Sequence, residues 1–276
     1  MGALDLVGTW DAPEAAVAVV APGHAGVVAA VGDRAQRSRW ASVTKLVTAL
    51  AALVAVEEGT LGLDDPAGPP GSTARHLLAH ASGLAFDEDK VLAQPGERRI
   101  YSNTGFETLG RELSDRAGMP LVRYLTEAVL EPLGMAETRL EEGGTPAAGL
   151  VGPLEDMIRL ASELLEPTLV SAETFRLATR EVSFPGLEGV LPGVGRFRPL
   201  DWGLGFELRN GKDPHWTGKR NSPATFGHFG GSGSFLWVDP DARLGCAVLS
   251  RREFDSWALQ VWPELSDAVV AEFGEE

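Results

Sequence analysis

The chain has 276 residues, 44% of them hydrophobic, which is enough for one large domain or two interleaved ones around a sizeable core. A net charge of −15 and a pI near 4.8 disfavour nucleic-acid phosphates and anionic membrane surfaces as partners. The single cysteine, Cys246, excludes an internal disulfide; it lies in the apolar run Leu244-Gly245-Cys246-Ala247-Val248 and reads as core.

Two Val/Ala-rich stretches, 15–20 and 26–31, flank Ala21-Pro22-Gly23-His24-Ala25 and predict a hairpin. Residues 42–58 are apolar on nearly every side, which predicts a central helix buried all round and stopped by Gly59. Helical spacing or good helix formers follow over 75–79, 105–117, 121–130, 154–165 and 172–179, punctuated by Pro and Gly. Beyond Pro199 the pattern returns to strands over 203–209, 234–238 and 244–250, then to an amphipathic helix over 256–273 with Leu265 and Val269 on one face.

Strands at both ends with helices between them predict an α+β fold. Residues 1–59 and 200–276 would form a discontinuous domain, an antiparallel β-sheet flanked by the N- and C-terminal helices. Residues 60–199 would form an inserted, mostly helical domain, and the active site would lie in the cleft between the two. Residues 1–10 lack the basic start and apolar core of a secretory signal, and the longest apolar run, 49–56, is far short of the ~20 residues that span a bilayer. The expectation is a cytoplasmic protein with no membrane partner.

Three segments can carry chemistry. Ser42 and Lys45 are one helical turn apart, so they share a face at the start of the central helix, where unpaired N–H groups favour negative charge. A lysine desolvated there can accept the serine proton. Taken alone, Ser-x-x-Lys recurs by chance, with Ser as a helix cap and Lys in solvent. Tyr101-Ser102-Asn103 adds a phenol for acid/base work and an amide to orient a substrate; its structural alternative is a turn leading into the helix from Gly105. His228-Phe229-Gly230-Gly231 brings backbone close to a substrate ahead of the strand at 234–238; its alternative is a plain hairpin turn.

In this order the three segments resemble the serine β-lactamase and penicillin-binding-protein superfamily, in its class C branch with D-alanyl-D-alanine carboxypeptidases and esterases. The motifs of that branch are Ser-x-x-Lys, Tyr-x-Asn and Lys/His-x-Gly. Arg39-Trp40-Ala41 before the serine, His76 to Leu84, Glu131-Pro132-Leu133-Gly134-Met135 and Trp202-Gly203-Leu204-Gly205 are also similar to family segments, so the resemblance covers about 39–250. It implies a β-lactamase/transpeptidase-like fold and an acyl-enzyme on Ser42. Lys45 would activate the serine, and Tyr101 would act as base in acylation and as acid for the leaving group. Asn103 would position substrate, His228 would line the cleft and tune Tyr101, and the backbone N–H groups of Ser42 and Gly231 would form the oxyanion hole.

Phe229 departs from the family, which usually carries Thr or Ser there to bind a substrate carboxylate. The resemblance therefore implies an ester or amide as substrate. The alternatives are a D-alanyl-D-alanine carboxypeptidase, a β-lactamase, or a penicillin-binding protein without efficient turnover. The chain is also short between Ser42 and Tyr101, so loops that shape the pocket are expected to be trimmed.

Other constellations carry less. Gly230-Gly231-Ser232-Gly233-Ser234 does not complete a nucleophile elbow, and Leu77 replaces the Glu that a zinc protease needs between His76 and His80. His80 reads as a hydrogen-bonded core residue, His24 and His215 as solvated turn residues, and Trp40 and Trp202 as pocket linings. No metal or organic cofactor is implied, the expected partner is a small molecule, and the oligomeric state is open.

Overall fold

Residues from the two ends of the chain meet in one antiparallel sheet. The computed structural model describes residues 2–12, 14–23 and 26–275; His24, read from sequence as a solvated turn residue, lies outside them. After a 3-10 turn at Ala3–Thr9 come β1 (Ala16–Val20), β2 (Val27–Val31), β3 (Arg37–Arg39) and α1 (Thr44–Glu57). The middle holds α2 (Ala74–Leu78), β4 (Arg99–Ile100), α3 (Asn103–Ala117), α4 (Leu121–Leu125), β5 (Arg139–Leu140), β6 (Leu150–Pro153), α5 (Leu154–Leu165) and α6 (Ala172–Thr179). The chain ends with β7 (Gly189–Leu191), β8 (Gly195–Phe197), β9 (Glu207–Leu208), β10 (Phe226–Gly230), β11 (Ser234–Asp239), β12 (Leu244–Leu249) and α7 (Ser256–Phe273). The main sheet has the order β2-β1-β12-β11-β10-β9.

Side chains alternate across this sheet with the strand period of two. Val17, Val19, Phe235, Trp237, Cys246 and Val248 point to one face, where they meet Trp257, Trp262, Leu265 and Val269 of α7. Ala16, Ala18, Val20, Leu236, Val238, Ala247 and Leu249 point to the other, into the core that holds α1 and α5. Cys246 is buried, as its apolar run predicts. The antiparallel sheet between helices matches the expected fold class. The sequence did not foretell that α5, from the stretch expected to be a helical lobe, packs directly on β1, β11 and β12. Among the described residues no helix is long and apolar enough to cross a membrane.

Two expected elements changed. The strand expected over 203–209 shrinks to β9, because the preceding loop packs against α1. Gly205 takes φ +90°, and a Cβ there would collide with Ala49 of α1. Conversely, the segment around His228 that read as a turn is itself a strand, β10, paired with β11 in the register His228↔Leu236. The hairpin turn lies one step later, at 231–233.

A second constraint positions the middle of the chain. Arg99 in β4 is only 2% exposed, and its guanidinium donates to the carbonyls of Ala79, Leu200 (2.6 Å), Ser183 (2.7 Å) and Phe184 (3.1 Å). Burial pulls its pKa down to about 10, so it stays charged at neutral pH. One side chain thus ties three distant segments to the strand that leads into Tyr101. Arg99→Met, which keeps the bulk but leaves those carbonyls without a donor, is expected to lower unfolding stability by about 3 kcal/mol or more in urea titrations.

Candidate active site

Ser42 sits in a single 3-10 turn, Ala41–Val43, that runs directly into α1. Ala41 just before it takes φ +44°, a left-handed conformation that costs a residue with a Cβ about 1 kcal/mol or more. The surroundings hold that turn in place. Trp40 is fully buried and its Nε1 donates to Gly152 O at 3.2 Å. Ser234 Oγ donates to Trp40 O at 2.8 Å, and Ser232 Oγ to Arg39 O at 2.7 Å. Gly230 permits this approach, since a Cβ there would collide with Trp40 O and Ser234 Oγ.

Lys45 follows in the first turn of α1. Eleven of the helix's 14 residues are buried, and Lys45, itself 0% exposed, is its only charged residue before Glu57. Its Nζ lies 2.6 Å from Asn103 Oδ1, 2.9 Å from Ala147 O and 3.2 Å from Ser42 Oγ. Burial pulls its pKa down to about 7, against the opposing charges of Asp87 and Glu107. The orientation of the Asn103 amide follows from chemistry, because its Nδ2 donates to Asp87 Oδ1 at 2.7 Å and the carboxylate can only accept. Its oxygen therefore faces Lys45. A neutral amine has two N–H groups and one lone pair. The two carbonyl oxygens take the N–H groups, and the lone pair is left for the Ser42 hydroxyl.

Tyr101 and Asn103 flank the start of α3, where Ser102 is the N-cap. Ser102 Oγ accepts from Gly105 N at 2.8 Å and donates to Ala85 O at 2.6 Å, while its backbone N–H donates to His80 Nδ1 at 3.1 Å. His80 is the buried, hydrogen-bonded core residue that the sequence suggested. Its ring centre lies 4.5 Å from that of Tyr101, and burial, with the charge of Lys45, keeps it neutral. Burial also pushes the Tyr101 phenol well above its ordinary value, opposed by the Ser42 hydroxyl beside it, so the phenol stays protonated. Lys45 Nζ lies 4.8 Å from the centre of the Tyr101 ring.

His228 on β10 completes the group. Its Nδ1–H donates to Phe229 O at 2.6 Å, which leaves Nε2 as the acceptor for the Tyr101 hydroxyl at 3.3 Å. Burial and the charge of Lys45 pull the His228 pKa down to about 3. Here the ring is a neutral acceptor, where a lysine would place a positive charge.

Ser42, Lys45, Tyr101, Asn103 and His228 thus converge. Phe229 and Gly231 line, with Ser42, Tyr101 and His228, a pocket of about 200 Å³. Gly230 packs against the serine turn. The pocket also takes in Phe86, Leu191, Pro192 and Phe254, which sequence reasoning missed, as it missed Asp87. No motif marks these residues; Leu191 ends β7, and the others arrive from loops whose course the sequence does not reveal. Trp40 and Trp202 are buried supports rather than pocket walls, with Trp202 edge-on to His80 and Tyr101. His215, expected in solvent, is buried against Glu207 (3.0 Å), which also binds Lys212 (2.7 Å) and Trp216 Nε1 (2.9 Å). A turn-like sequence there is covered by β9, and Trp216 then backs Phe229 with ring centres 5.6 Å apart.

Residues 6–269 match the beta-lactamase family. The chain belongs to that family. It is similar to a crystal structure of a beta-lactamase from Mycobacterium bovis, 55% identical, covering 99% of this chain and 100% of that one with a TM-score of 0.96. It is also similar to penicillin-binding protein 4* of Bacillus subtilis (strain 168), 31% identical over 133 residues, 36% of this chain and 30% of that protein. The D-alanyl-D-alanine-carboxypeptidase/endopeptidase AmpH of Escherichia coli (strain K12) is 28% identical over 137 residues, 36% of each chain. The matched stretch spans about a third of the length of these two curated relatives.

Because Asp87 holds the Lys45 pKa up, removing its charge while keeping its acceptor oxygen has a defined sign. Asp87→Asn is expected to lower the Lys45 pKa below its value of about 7, read by NMR titration of the labelled lysine amine.

Proposed function

We propose that this member of the beta-lactamase family is a serine hydrolase that cleaves carboxylic esters through an acyl-enzyme on Ser42. The observation that carries this reading is the Lys45 amine, buried, with both N–H groups engaged and its remaining lone pair 3.2 Å from Ser42 Oγ. At neutral pH about half of such amines are free bases, given a pKa of about 7.

In this scheme Lys45 takes the Ser42 proton as Oγ bonds to the ester carbonyl carbon. The oxyanion lies against the N–H groups of Ser42 and Gly231. As the C–O bond to the leaving group breaks, the protonated Tyr101 gives its proton to the departing oxygen. The Lys45 ammonium neutralises the phenolate and returns the proton. Water then attacks the acyl carbon, giving up a proton over the same route, and Ser42 is released. Asn103 fixes the Lys45 amine and offers its amide to the substrate. His228 accepts the Tyr101 hydroxyl in the resting site and so holds it in line. The high pKa of Tyr101 makes Lys45, rather than a resident phenolate, the group that removes the first proton.

The pocket favours an ester without a carboxylate beside the scissile bond. Among the described residues its lining is mostly apolar and includes no Lys or Arg, its histidine is neutral, and Phe229 replaces the hydroxyl of the family pattern. A second reading, cleavage of β-lactams or of D-alanyl-D-alanine peptides, draws on the names of the Mycobacterium bovis, Bacillus subtilis and Escherichia coli proteins.

Wild type and Ser42→Ala assayed on p-nitrophenyl esters, a chromogenic cephalosporin and D-alanyl-D-alanine peptides separate the two. Ester cleavage lost in Ser42→Ala, with weak turnover of the other substrates, is the expected outcome. Full activity in Ser42→Ala would sink the site, and a preference for the cephalosporin would sink the ester reading. Lys45→Ala and Tyr101→Phe should each lose on the order of 10²-fold or more in kcat/KM, since each is asked to move a proton in the transition state. The wild-type rate should rise with pH through about 7 as Lys45 loses its proton.

A further inference from the structure

The pocket around Ser42 does not end at its own wall. Phe86, Tyr101 and Pro192 line it on one side and line, on their other side, a second cleft of about 380 Å³. That cleft continues over Leu92, Ile100 and Val190. The surface around it is unusual for this chain. Among the described residues seven large hydrophobic side chains are exposed, and three of them line this cleft: Phe86 (46%), Leu92 (43%) and Val190 (47%). On so acidic a chain, a concentration of exposed apolar side chains beside a reactive serine marks a place where apolar surface is covered in use.

The cleft is built rather than incidental. The Phe86 backbone is fixed by its carbonyl, which accepts from Asn103 N at 2.7 Å and Thr104 N at 3.3 Å, so the loop carrying Phe86 is tied to the helix that carries Asn103. The Phe86 ring stacks on Tyr101 with centres 5.9 Å apart. On the other wall Val190 lies in β7, in parallel register with Ile100 of β4, one residue before Tyr101. Both walls are therefore anchored to the segment that carries Tyr101. The charges sit at the rim: Glu188 holds Arg198 at 2.5 Å and lies 3.9 Å from Arg196, and Arg98 donates to Leu92 O at 2.8 Å. What the floor offers a ligand is hydrocarbon.

We infer that this cleft is a substrate subsite for an apolar chain of medium length, carried by the ester whose carbonyl sits at Ser42. The inference rests on the ester reading of the Ser42 pocket and names the substrate class for it. The occupant is argued from adjacency: Phe86, Tyr101 and Pro192 line both compartments, so the cleft begins one side chain away from the pocket that holds Ser42. The chain belongs either to the acyl group or to the alcohol, and both present the same hydrocarbon to the cleft.

Two substrate series test this. One varies the acyl group of p-nitrophenyl esters from acetate through butyrate and octanoate to decanoate. The other varies the alcohol of acetate esters over the same lengths, followed by acid release. In wild type, kcat/KM is expected to climb in one series by up to roughly fourfold for each methylene buried, until the cleft is full. The series that climbs tells which half of the ester the cleft holds. Leu92→Asp and Val190→Asp place a charge on exposed walls outside the Ser42 pocket. Each is expected to cut the ratio of long-chain to acetyl activity at least about tenfold while leaving acetyl turnover nearly unchanged, and that retained turnover also shows that the variants fold. A flat length profile in both series, or a ratio that neither variant alters, overturns the inference. Acetyl ester cleavage that survives Ser42→Ala instead overturns the ester mechanism at Ser42, so the two failures are distinguishable.

Discussion

The burial of one amine governs much of this molecule. Lys45 lies in the first turn of a helix whose other buried residues are all uncharged, and removing the ammonium from water is what brings its pKa to about 7. The burial has a cost with a definite sign. Between about pH 7 and 10.5 the unfolded chain binds a proton that the folded chain lacks, so stability rises with pH across that window and the full penalty is present below it. The partial compensation is visible: two carbonyl oxygens, from Asn103 and Ala147, receive the amine, and Asp87 holds Asn103 in the orientation that allows it. The same desolvation reaches the neighbours, keeping Tyr101 protonated and His80 and His228 neutral.

That arrangement demands rigidity around it. The serine turn carries a left-handed alanine, and two serines of the β10–β11 hairpin region hold it by its carbonyls. Tyr101 is reached through β4, which Arg99 fastens to three separate segments. Polar groups inside this fold thus serve mainly to place other groups. The hydrophobic layers on either side of the sheet supply the stability against which such costs are set.

The apolar character of the pocket walls follows from a few side chains, Phe229 on β10 and others on loops, rather than from the shared framework. Phe229 closes off the place where a hydroxyl would meet a carboxylate, with Trp216 and Phe254 packed against it. Phe86 and Pro192 stand between the serine pocket and the adjoining cleft. A framework common to a family can carry different substrate classes, because specificity is written in side chains at the cleft and not in the order of strands.

The sequence by itself determined the parts that depend on local periodicity and on short motifs. The buried helix after Ser42, the helices at 154–165, 172–179 and 256–273, and the strands around 234–238 and 244–250 all follow from spacing of apolar residues, which acts within one turn or one pleat. The order of Ser42-x-x-Lys45, Tyr101-x-Asn103 and His228-x-Gly230 pointed to the family over residues the chain does match. Only the tertiary structure decided which groups face them. Asp87, the Ala147 carbonyl and Phe86 reach the site from loops that carry no periodic signal, and His215, in a turn-like sequence, is buried because β9 supplies Glu207 beside it. The protonation states of Lys45, Tyr101 and His228 belong to the same class. A side chain's pKa is set by how much water and charge surround it, and that is fixed by which distant segments close over it, not by its neighbours along the chain.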